Sequence, residues 1–538
     1  MHVYEFQPRI LANKFEVEAA VTGKKLSYPG IESRWTERLR PGISDFALIE
    51  NDDELEATLA EYLEPLINFA KSVLHSKTEE FGNFPIFLKA TAGLRTIPPA
   101  KRQRVISTVR KLFANETFCP FWDEEERVRV ISGEEEAVYG WAGVNFLLGN
   151  LMENSEGSGE AHGSAIKTYG ALDLGGASTQ ISFYQPDGDV MSGLFKLQIG
   201  QGKHWNVYAH SHLMYGMNMA ENRRKARLVR NTTVRERLVD GVYDPCLPGG
   251  GKLEFKSIVH FDKDGIETWD ATVDDFASSS NAAEPGSYHA TLVNNQKTGN
   301  WNECKALARE LLNEKSNSWC NFTHHGSCSF AGAYQPEIPA QEASFGEFYA
   351  FSNYYHVWQF LQLESRSTIQ KLDDRAQKVC SQSWDQLKAY NQANTQEKYT
   401  DDELSAYCFH AAYVHEILRH GYGFQPEHHI TATDVVNGQK VTWALGSILY
   451  EINTLPWDYV QVHSQKHLDH KFEKDFFSDW DHDFSWFIVL VALGSLVAFM
   501  QVFRLKRRRD QPRRSRGWKE GYEPVSDAGA IEIEPLIH

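Results

Sequence analysis

Two kinds of residue are scarce in this 538-residue chain: cysteine, and basic residues relative to acidic ones. There are 55 Lys and Arg against 72 Asp and Glu, which gives a formal net charge of −17. A general nucleic-acid binder neutralises phosphates with clustered basic side chains, so this balance argues against that class. Seven cysteines are too few for a scaffold held together mainly by disulfides. The length instead allows two or three domains with hydrophobic cores.

The few cysteines lie mostly in the middle of the chain. Three pairs are close enough in sequence to form disulfides, although spacing leaves other connectivities open: Cys246 with Cys304, Cys320 with Cys328, and Cys380 with Cys408, leaving Cys119 over. Three sequons for N-glycosylation also occur, at Asn115, Asn231 and Asn321. Together with the apolar run described next, these features indicate the secretory pathway.

Long apolar runs are also scarce, and the one that stands out is Trp486 to Phe503. Its length is sufficient to cross a thin hydrocarbon core, whereas a buried helix is the alternative interpretation. An acidic segment (456–485) precedes it and a basic segment (504–538) follows it, so we expect a single-pass membrane protein with a cytosolic C-terminus and a luminal main domain. The thin span and two short sorting-like motifs, 522–525 and 532–537, favour the Golgi or the endosomal/vacuolar system. We interpret His463, His467 and His470 as solvated juxtamembrane residues rather than a metal site.

Hydrophobic periodicity predicts strands that alternate with helices, which is typical of an α/β fold. The predicted elements are a strand at residues 2–6, a helix at 52–74, a strand at 84–93, a strand, carboxylate-bearing loop and helix at 127–149, a glycine-turned hairpin at 169–185, irregular structure at 249–300, mainly helices at 340–420 and a last apolar element at 441–452. Residues 154–165 are small and polar, as in an exposed insertion.

Three short stretches have the composition of a phosphate-processing site. "DLGGAST" (173–179) places an acid at a strand end, before a turn whose glycines allow amides to approach a phosphate. Its Asp173 is suited to hold Mg²⁺ or Ca²⁺ through water. "KATAGLR" (89–95) is a second small-residue loop, with Lys89 and Arg95 on its flanks, and "GEEEA" (133–137) supplies carboxylates. Two phosphate loops and a base are what in-line attack by water on a phosphate requires.

Five stretches of the chain resemble, in order and spacing, the successive conserved regions of the apyrases, the GDA1/CD39 family of nucleoside triphosphate diphosphohydrolases. They are "LKATAGLR", "ISGEEEAVYGW", "ALDLGGASTQISF", "HSHLMYGMNMA" and "DPCLPGG". The resemblance implies two domains of the actin/Hsp70/ribonuclease-H-like kind around a nucleotide cleft, formed here by residues 1–168 with 427–455 and by residues 169–426. It also implies a divalent cation and no covalent phospho-enzyme.

The resemblance also assigns a role to individual residues of this chain. Glu136 corresponds to the catalytic base, Ser178 and Gln180 to the residues that position the attacking water, and Asp173 to the residue that holds the cation through water. The remaining assignments are phosphate binding by Gly175, Gly176, Ala177, Ser178, Thr91, Ala92, Gly93 and Arg95, and stacking on the nucleotide base by Tyr354 or Tyr355. An aromatic helix face is the alternative interpretation of the two tyrosines.

The expected reaction is hydrolysis of the terminal phosphate of nucleoside di- or triphosphates, and the oligomeric state is left open. The alternatives are a non-catalytic nucleotide-binding membrane protein and, on the same fold, an exopolyphosphatase or a sugar kinase. The family's first conserved region is an Asp-x-Gly-Ser-type loop that precedes a strand like "HVYEF", and the chain begins after it. We therefore expect a truncated or alternatively started product, inactive or nearly so as it stands, rather than a shortened member that has lost hydrolysis.

Overall fold

The computed structural model describes residues 1–6, 29–32, 34–151, 167–186, 194–199, 203–232, 240–257, 260–261, 267–268, 288–312, 320, 328–340, 345–394 and 397–454. The α-helices of these residues, α1 to α11 in chain order, are Asp52–Val73, Ala92–Arg95, Pro99–Phe113, Gly133–Leu147, Met217–Asn231, Trp301–Glu310, Asn353–Leu361, Ile369–Cys380, Trp384–Ala393, Asp401–Glu416 and Trp443–Thr454. The strands, β1 to β16, are Leu88–Ala90, Val128–Val130, Thr168–Leu174, Ser178–Tyr184, Leu194–Ile199, Lys203–Leu213, Val242–Tyr243, Lys252–Ser257, His260–Phe261, Glu267–Thr268, Tyr288–Val293, Phe345–Ser352, Arg366–Thr368, His429–Ala432, Val435–Val436 and Gln439–Lys440.

A seven-stranded sheet with the order β13-β14-β12-β3-β4-β6-β5 is the main support of the fold. The predicted hairpin is its centre, because β3 and β4 pair antiparallel and lie between the parallel neighbour β12 and the antiparallel neighbour β6. One face packs against a core that includes side chains of α7, α8 and α10. The other face packs against α4 and α11. This layered arrangement confirms the α/β prediction.

A smaller parallel pair, β1 with β2, lies beside α1 and α3 and has its own core. The prediction of a helix at 52–74 is confirmed by α1, whose spacing buries Leu55, Leu59, Leu63 and Ile67. Asn51 begins this helix, since its side chain accepts a hydrogen bond from the amide of Glu54.

Helix α11 lies directly on α4. A Cβ added to Gly446 would stand 1.9 Å from the carbonyl oxygen of Tyr139, and one added to Gly143 would stand 2.9 Å from that of Thr442. The two backbones therefore approach as closely as they do only because both positions lack a side chain.

Three sequence predictions of secondary structure are wrong. Residues 2–6 form isolated bridges, His2 to Thr36 and Glu5 to Gly30, instead of a continuous strand. Segment 249–300, predicted as irregular, contains β8 and β11, which pair over six residues. Leu253 and Leu292 of this pair pack into one hydrophobic cluster on one face. A strand pair covered on one face does not need the long apolar runs by which strands are recognised in a sequence. Residues 345–352, predicted as helical, form β12, which pairs with two parallel neighbours and is covered on both faces: Phe348 belongs to one core and Phe351 to the other.

The three disulfides proposed from spacing are present, Cys246–Cys304, Cys320–Cys328 and Cys380–Cys408. Cys119 is a buried free thiol. Among the described residues, no helix has the length and apolar character needed to cross a bilayer. The predicted span 486–503, its flanking segments, the three juxtamembrane histidines, the insertion 154–165 and Asn321 lie outside the described residues.

Candidate active site

The three consecutive acids at 134–136 lie in the first turn of α4 instead of in a loop. Ser132 precedes the helix, and its hydroxyl accepts a hydrogen bond from the amide of Glu135. The amide of Ser132 in turn donates to the Glu135 carboxylate, which completes a capping box. Glu135 also pairs with Arg129 at 2.6 Å. Its neighbour Glu136 is turned inward and is only 7% exposed. Of these acids, Glu135 therefore caps the helix, whereas Glu136 is a buried carboxylate.

Glu136 is held by side chains from two other elements. Its Oε2 accepts hydrogen bonds from Arg95 at 2.8 Å and from the amide nitrogen of Gln180 at 3.3 Å. Arg95 is fixed in turn by the carbonyl of Ile131 at 2.9 Å and contacts the hydroxyl of Ser178 at 3.3 Å. Burial raises the pKa of Glu136 above its usual value, and the positive charge of Arg95 opposes that rise. A carboxylate with a raised pKa is a better proton acceptor near neutral pH than an exposed one.

Gln180 is the centre of the hydrogen-bond network next to Glu136. Its amide nitrogen also lies 2.6 Å from Ser178 Oγ and 3.0 Å from Ser211 Oγ, so its two N–H groups are shared among three acceptor oxygens. Its Oε1 is buried and accepts no hydrogen bond from the described residues. Ser178, Gln180 and Glu136, which the sequence assigned to one reaction, are thus brought into direct contact.

Ser211 is a member of this network that the sequence predictions missed. It lies on β6 directly opposite Gln180 on β4, so their side chains share one face of the sheet. The only available signal was its place in the motif "HSHLMYG" (210–216), to which no role had been attached. A Cβ added to Gly133 would stand 2.3 Å from Cβ of Ser211, so the start of α4 depends on this glycine to lie against the serine.

Asp173 lies opposite Gln180 on the other side of the hairpin ladder. It is 7% exposed, and its Oδ1 has no hydrogen-bond partner among the described residues. Burial, together with the negative charge of Glu136, raises the pKa of Asp173 to about 7. A buried carboxylate that has one oxygen without a partner and lies near a second carboxylate is well suited to a divalent cation, which would supply the missing positive charge. The described residues contain no group of three or more His, Cys, Asp or Glu suited to a metal ion.

The turn of the hairpin is docked on the start of α5 through its carbonyl groups. The carbonyls of Gly175, Gly176 and Ala177 accept hydrogen bonds from the amides of Met217, Asn218 and Met214, respectively, at 2.8–3.0 Å. A Cβ at Gly216 would stand 2.3 Å from the amide nitrogen of Ala177. Within the described part of the chain, the amides of Gly176 and Ala177 donate to no acceptor. The amide of Gly175, which was predicted to bind phosphate, instead donates to the carbonyl of Ser178 at 2.9 Å. The turn thus has its carbonyls occupied and two of its three amides available, as an anion-binding loop requires.

The family model of the GDA1/CD39 (nucleoside phosphatase) family matches residues 1–471. This chain belongs to that family. Members of the family hydrolyse nucleotide phosphates and depend on divalent cations. The α/β architecture described above is thus that of a member of this family.

Relatives of this nucleoside phosphatase include the ectonucleoside triphosphate diphosphohydrolase 1 of Bos taurus, which is 29% identical over 423 residues, covering 77% of this chain and 74% of that protein. The nucleoside-diphosphatase mig-23 of Caenorhabditis elegans is 27% identical over 433 residues, covering 78% and 70%. A crystal structure of nucleoside triphosphate hydrolases from Neospora caninum shares the fold, with a TM-score of 0.51, 18% identity, and coverage of 74% of this chain and 79% of that chain.

The second small-residue loop of the nucleoside phosphatase has a different support. Thr91 precedes the single-turn helix α2, which contains Ala92 and Gly93 and ends at Arg95. A Cβ at Gly93 would stand 3.1 Å from the hydroxyl of Ser44. Lys89, expected on the flank of this loop, is directed elsewhere: it forms a buried ion pair with Glu451 and donates to Ser447 at 2.7 Å. It therefore ties β1 to α11 and is not available to a phosphate.

The two candidate tyrosines for base stacking differ in exposure. Tyr354 has no exposed surface and belongs to the main core, so a nucleotide base cannot stack on it. Tyr355 is partly exposed and lines an open cavity of about 530 Å³ together with His356, Gln359 and Glu397. Of the pair, only Tyr355 remains a candidate.

Proposed function

We propose that this nucleoside phosphatase removes the terminal phosphate of nucleoside di- and triphosphates with a water molecule that Glu136 activates. The observation that carries the proposal is the contact of Glu136 with Arg95 and Gln180, while Ser178 and Asp173 lie on the hairpin beside them. A buried base, hydroxyl and amide donors and an acid suited to a cation are the components of in-line hydrolysis.

In this mechanism Glu136 accepts a proton from the attacking water through Oε1, the oxygen that accepts no hydrogen bond from the described residues. The hydroxyl of Ser178 and the free Oε1 of Gln180 orient the same water. The water oxygen forms a new bond to the terminal phosphorus, and the bond from phosphorus to the bridging oxygen breaks. The shortened nucleotide and phosphate leave, and Glu136 returns its proton to solvent.

Negative charge on the terminal phosphate is balanced from two loops in this proposal. The amides of Gly176 and Ala177 bind from the hairpin, and those of Thr91 to Gly93 bind from the second loop. Asp173 would hold Mg²⁺ or Ca²⁺ through water, and a cation bound there would neutralise charge on the phosphates. We further propose that the two loops belong to two domains, 1–168 with 427–455 and 169–426, and that Tyr355 stacks on the base.

The cellular setting proposed for the reaction is the lumen of the Golgi or of the endosomal/vacuolar system, with one C-terminal membrane span. Three disulfides support an oxidising compartment. Fluorescent tagging of the full chain with compartment markers tests this setting directly.

Release of phosphate from UDP, GDP, ADP and ATP, with and without a chelator, tests the reaction. The protein assayed, called the unaltered chain here and below, includes any coding sequence upstream of Met1. We expect cation-dependent release, and we expect Glu136→Ala to lower turnover by roughly two to four orders of magnitude, because that is the usual contribution of a positioned base. Glu134→Ala is the matched control, since this neighbouring acid takes no part in the contacts of Glu136.

Nucleotide binding without turnover in the unaltered chain would contradict the proposal and favour the non-catalytic alternative. Release from polyphosphate, or transfer to a sugar, in place of nucleotide hydrolysis would favour the other enzymes of this fold.

A further inference from the structure

We propose that Ser211 is a positioning residue for the hydrolytic water, acting through Gln180. The inference rests on the proposed function and adds to it a residue that holds the amide of Gln180 in one orientation. The contact involved is the 3.0 Å hydrogen bond from the Gln180 amide nitrogen to Ser211 Oγ.

The orientation of the Gln180 amide decides what it presents to a water. A primary amide has two N–H donors on one end and a carbonyl acceptor on the other, and rotation by half a turn exchanges them. An ionised Glu136 accepts only, so the nitrogen end faces it. This leaves Oε1 as a buried acceptor with no partner among the described residues, free to receive a proton of the water.

Glu136 determines which end of the amide faces it, and Ser211, whose hydroxyl can accept or donate, holds that end in position, because Glu136 alone holds it weakly. The bond to Glu136 is 3.3 Å long, at the weak end of the range, whereas those to Ser178 and Ser211 are 2.6 and 3.0 Å. Ser178 is itself expected to contact the water, and its hydroxyl will reorient when it does. Ser211 is then the oxygen that keeps one N–H of Gln180 engaged throughout the reaction.

The position of Ser211 is determined by backbone contacts rather than by the network it serves. Its strand pairs residue by residue with that of Gln180, and the absence of a side chain at Gly133 allows α4 to begin against it. A rigidly placed hydroxyl can orient a partner at little entropic cost.

Ser182 provides a matched control on the same face of the sheet. It is 1% exposed, and its hydroxyl donates to the carbonyl of Ala137 at 2.8 Å, so it attaches α4 to β4 without contacting Gln180. Removing either hydroxyl disturbs packing between α4 and the sheet, but only Ser211→Ala removes an acceptor of Gln180.

The test is a double-mutant cycle on the full chain, with kcat and KM for the preferred nucleotide. We expect Ser211→Ala to lower kcat by roughly five- to thirtyfold, the size of one lost hydrogen bond, with KM unchanged. Ser182→Ala should lower the melting temperature by about as much as Ser211→Ala does, but should leave kcat within about twofold of the unaltered protein. In a Gln180→Ala background, Ser211→Ala should have no further effect on kcat, because its partner is already absent.

Equal effects of Ser211→Ala with and without Gln180, or a kcat within about twofold of the unaltered protein, would overturn this inference and leave the proposed function intact. An unaltered chain that binds nucleotide and never releases phosphate would overturn both.

Discussion

The two small-residue loops linked to Glu136 are built by different means. The hairpin turn at 175–177 lies in the middle of a seven-stranded sheet, and its carbonyls are hydrogen-bonded to the start of α5. The loop at 91–95 follows a three-residue strand in a two-stranded sheet, and its link to the rest of the site is the side chain of Arg95. The hairpin turn is thus fixed by backbone hydrogen bonds, whereas the loop at 91–95 is joined to Glu136 by one long side chain. Substitutions should therefore affect the two loops in different ways.

Of the substitutions that compare the two loops, Asp173→Asn has the largest expected effect. It removes a negative charge from the strand that leads into the hairpin turn. We expect nucleotide turnover to fall by about 10²–10³, the range seen when one electrostatic contact to a transition state is lost. The measurement is phosphate release over a range of Mg²⁺ and Ca²⁺ concentrations. Activity of the variant equal to the unaltered chain at all cation concentrations would show that Asp173 has no such role.

The same variant should have the opposite effect on the stability of the cation-free protein. The pKa of Asp173 in the folded state is about 7 and exceeds the unfolded value of 3.8, so the folded protein binds the extra proton and loses stability as pH rises between these values. In chelator at pH 7.5, Asp173→Asn should therefore melt at a higher temperature than the unaltered chain, and added cation should stabilise only the latter.

Arg95→Ala tests the loop at 91–95, which is joined to Glu136 by this side chain. We expect a smaller loss, of about 10- to 100-fold in kcat/KM. Removing this guanidinium takes away the charge that lowers the pKa of Glu136, so that pKa rises further. A base works when deprotonated, and the acid limb of the pH–rate profile should move to higher pH. Arg129→Ala, which breaks the pair with Glu135, is the matched control and should leave the limb in place.

The smallest expected effects come from one added methyl group at or beside each loop. Gly216→Ala, directly before α5, places a Cβ 2.3 Å from the amide nitrogen of Ala177 in the hairpin turn, which backbone hydrogen bonds hold against α5, so we expect a loss of about 1–3 kcal/mol in the free energy of unfolding. Gly93→Ala meets only the hydroxyl of Ser44 at 3.1 Å, which can turn away, and should cost under about 0.5 kcal/mol. Denaturant unfolding measures both, and equal losses would remove the distinction between the loops.

Sequence reasoning worked best where the deciding interaction is local. The β3–β4 hairpin follows from a glycine pair between two apolar runs, and the disulfides follow from cysteines close in the chain. The motif resemblance placed Glu136, Ser178 and Gln180 correctly as a group, and the structure shows them in contact.

Most of the failures involve partners that are distant in sequence. Lys89 flanks the second small-residue loop in the sequence, but its ion-pair partner Glu451 comes 362 positions later. Ser211 was missed because only the sheet order, with β4 next to β6, brings it opposite Gln180. The buried position of Tyr354 likewise depends on helices and strands from several parts of the chain, so a local aromatic pattern could not separate it from Tyr355.

The close contact of α11 with α4 has a consequence for the order in which the chain acquires its parts. Leu147 at the end of α4 and its partner Asn437, which comes shortly before α11, are 290 positions apart. At about 5–20 residues per second, the ribosome needs roughly 15–60 s to add that length, so the helix that carries Glu136 remains without α11 for at least this time. During synthesis the apolar surface of α4 that later receives Leu445 and Leu449 is therefore open to chaperones, and the base is seated among the last events of folding.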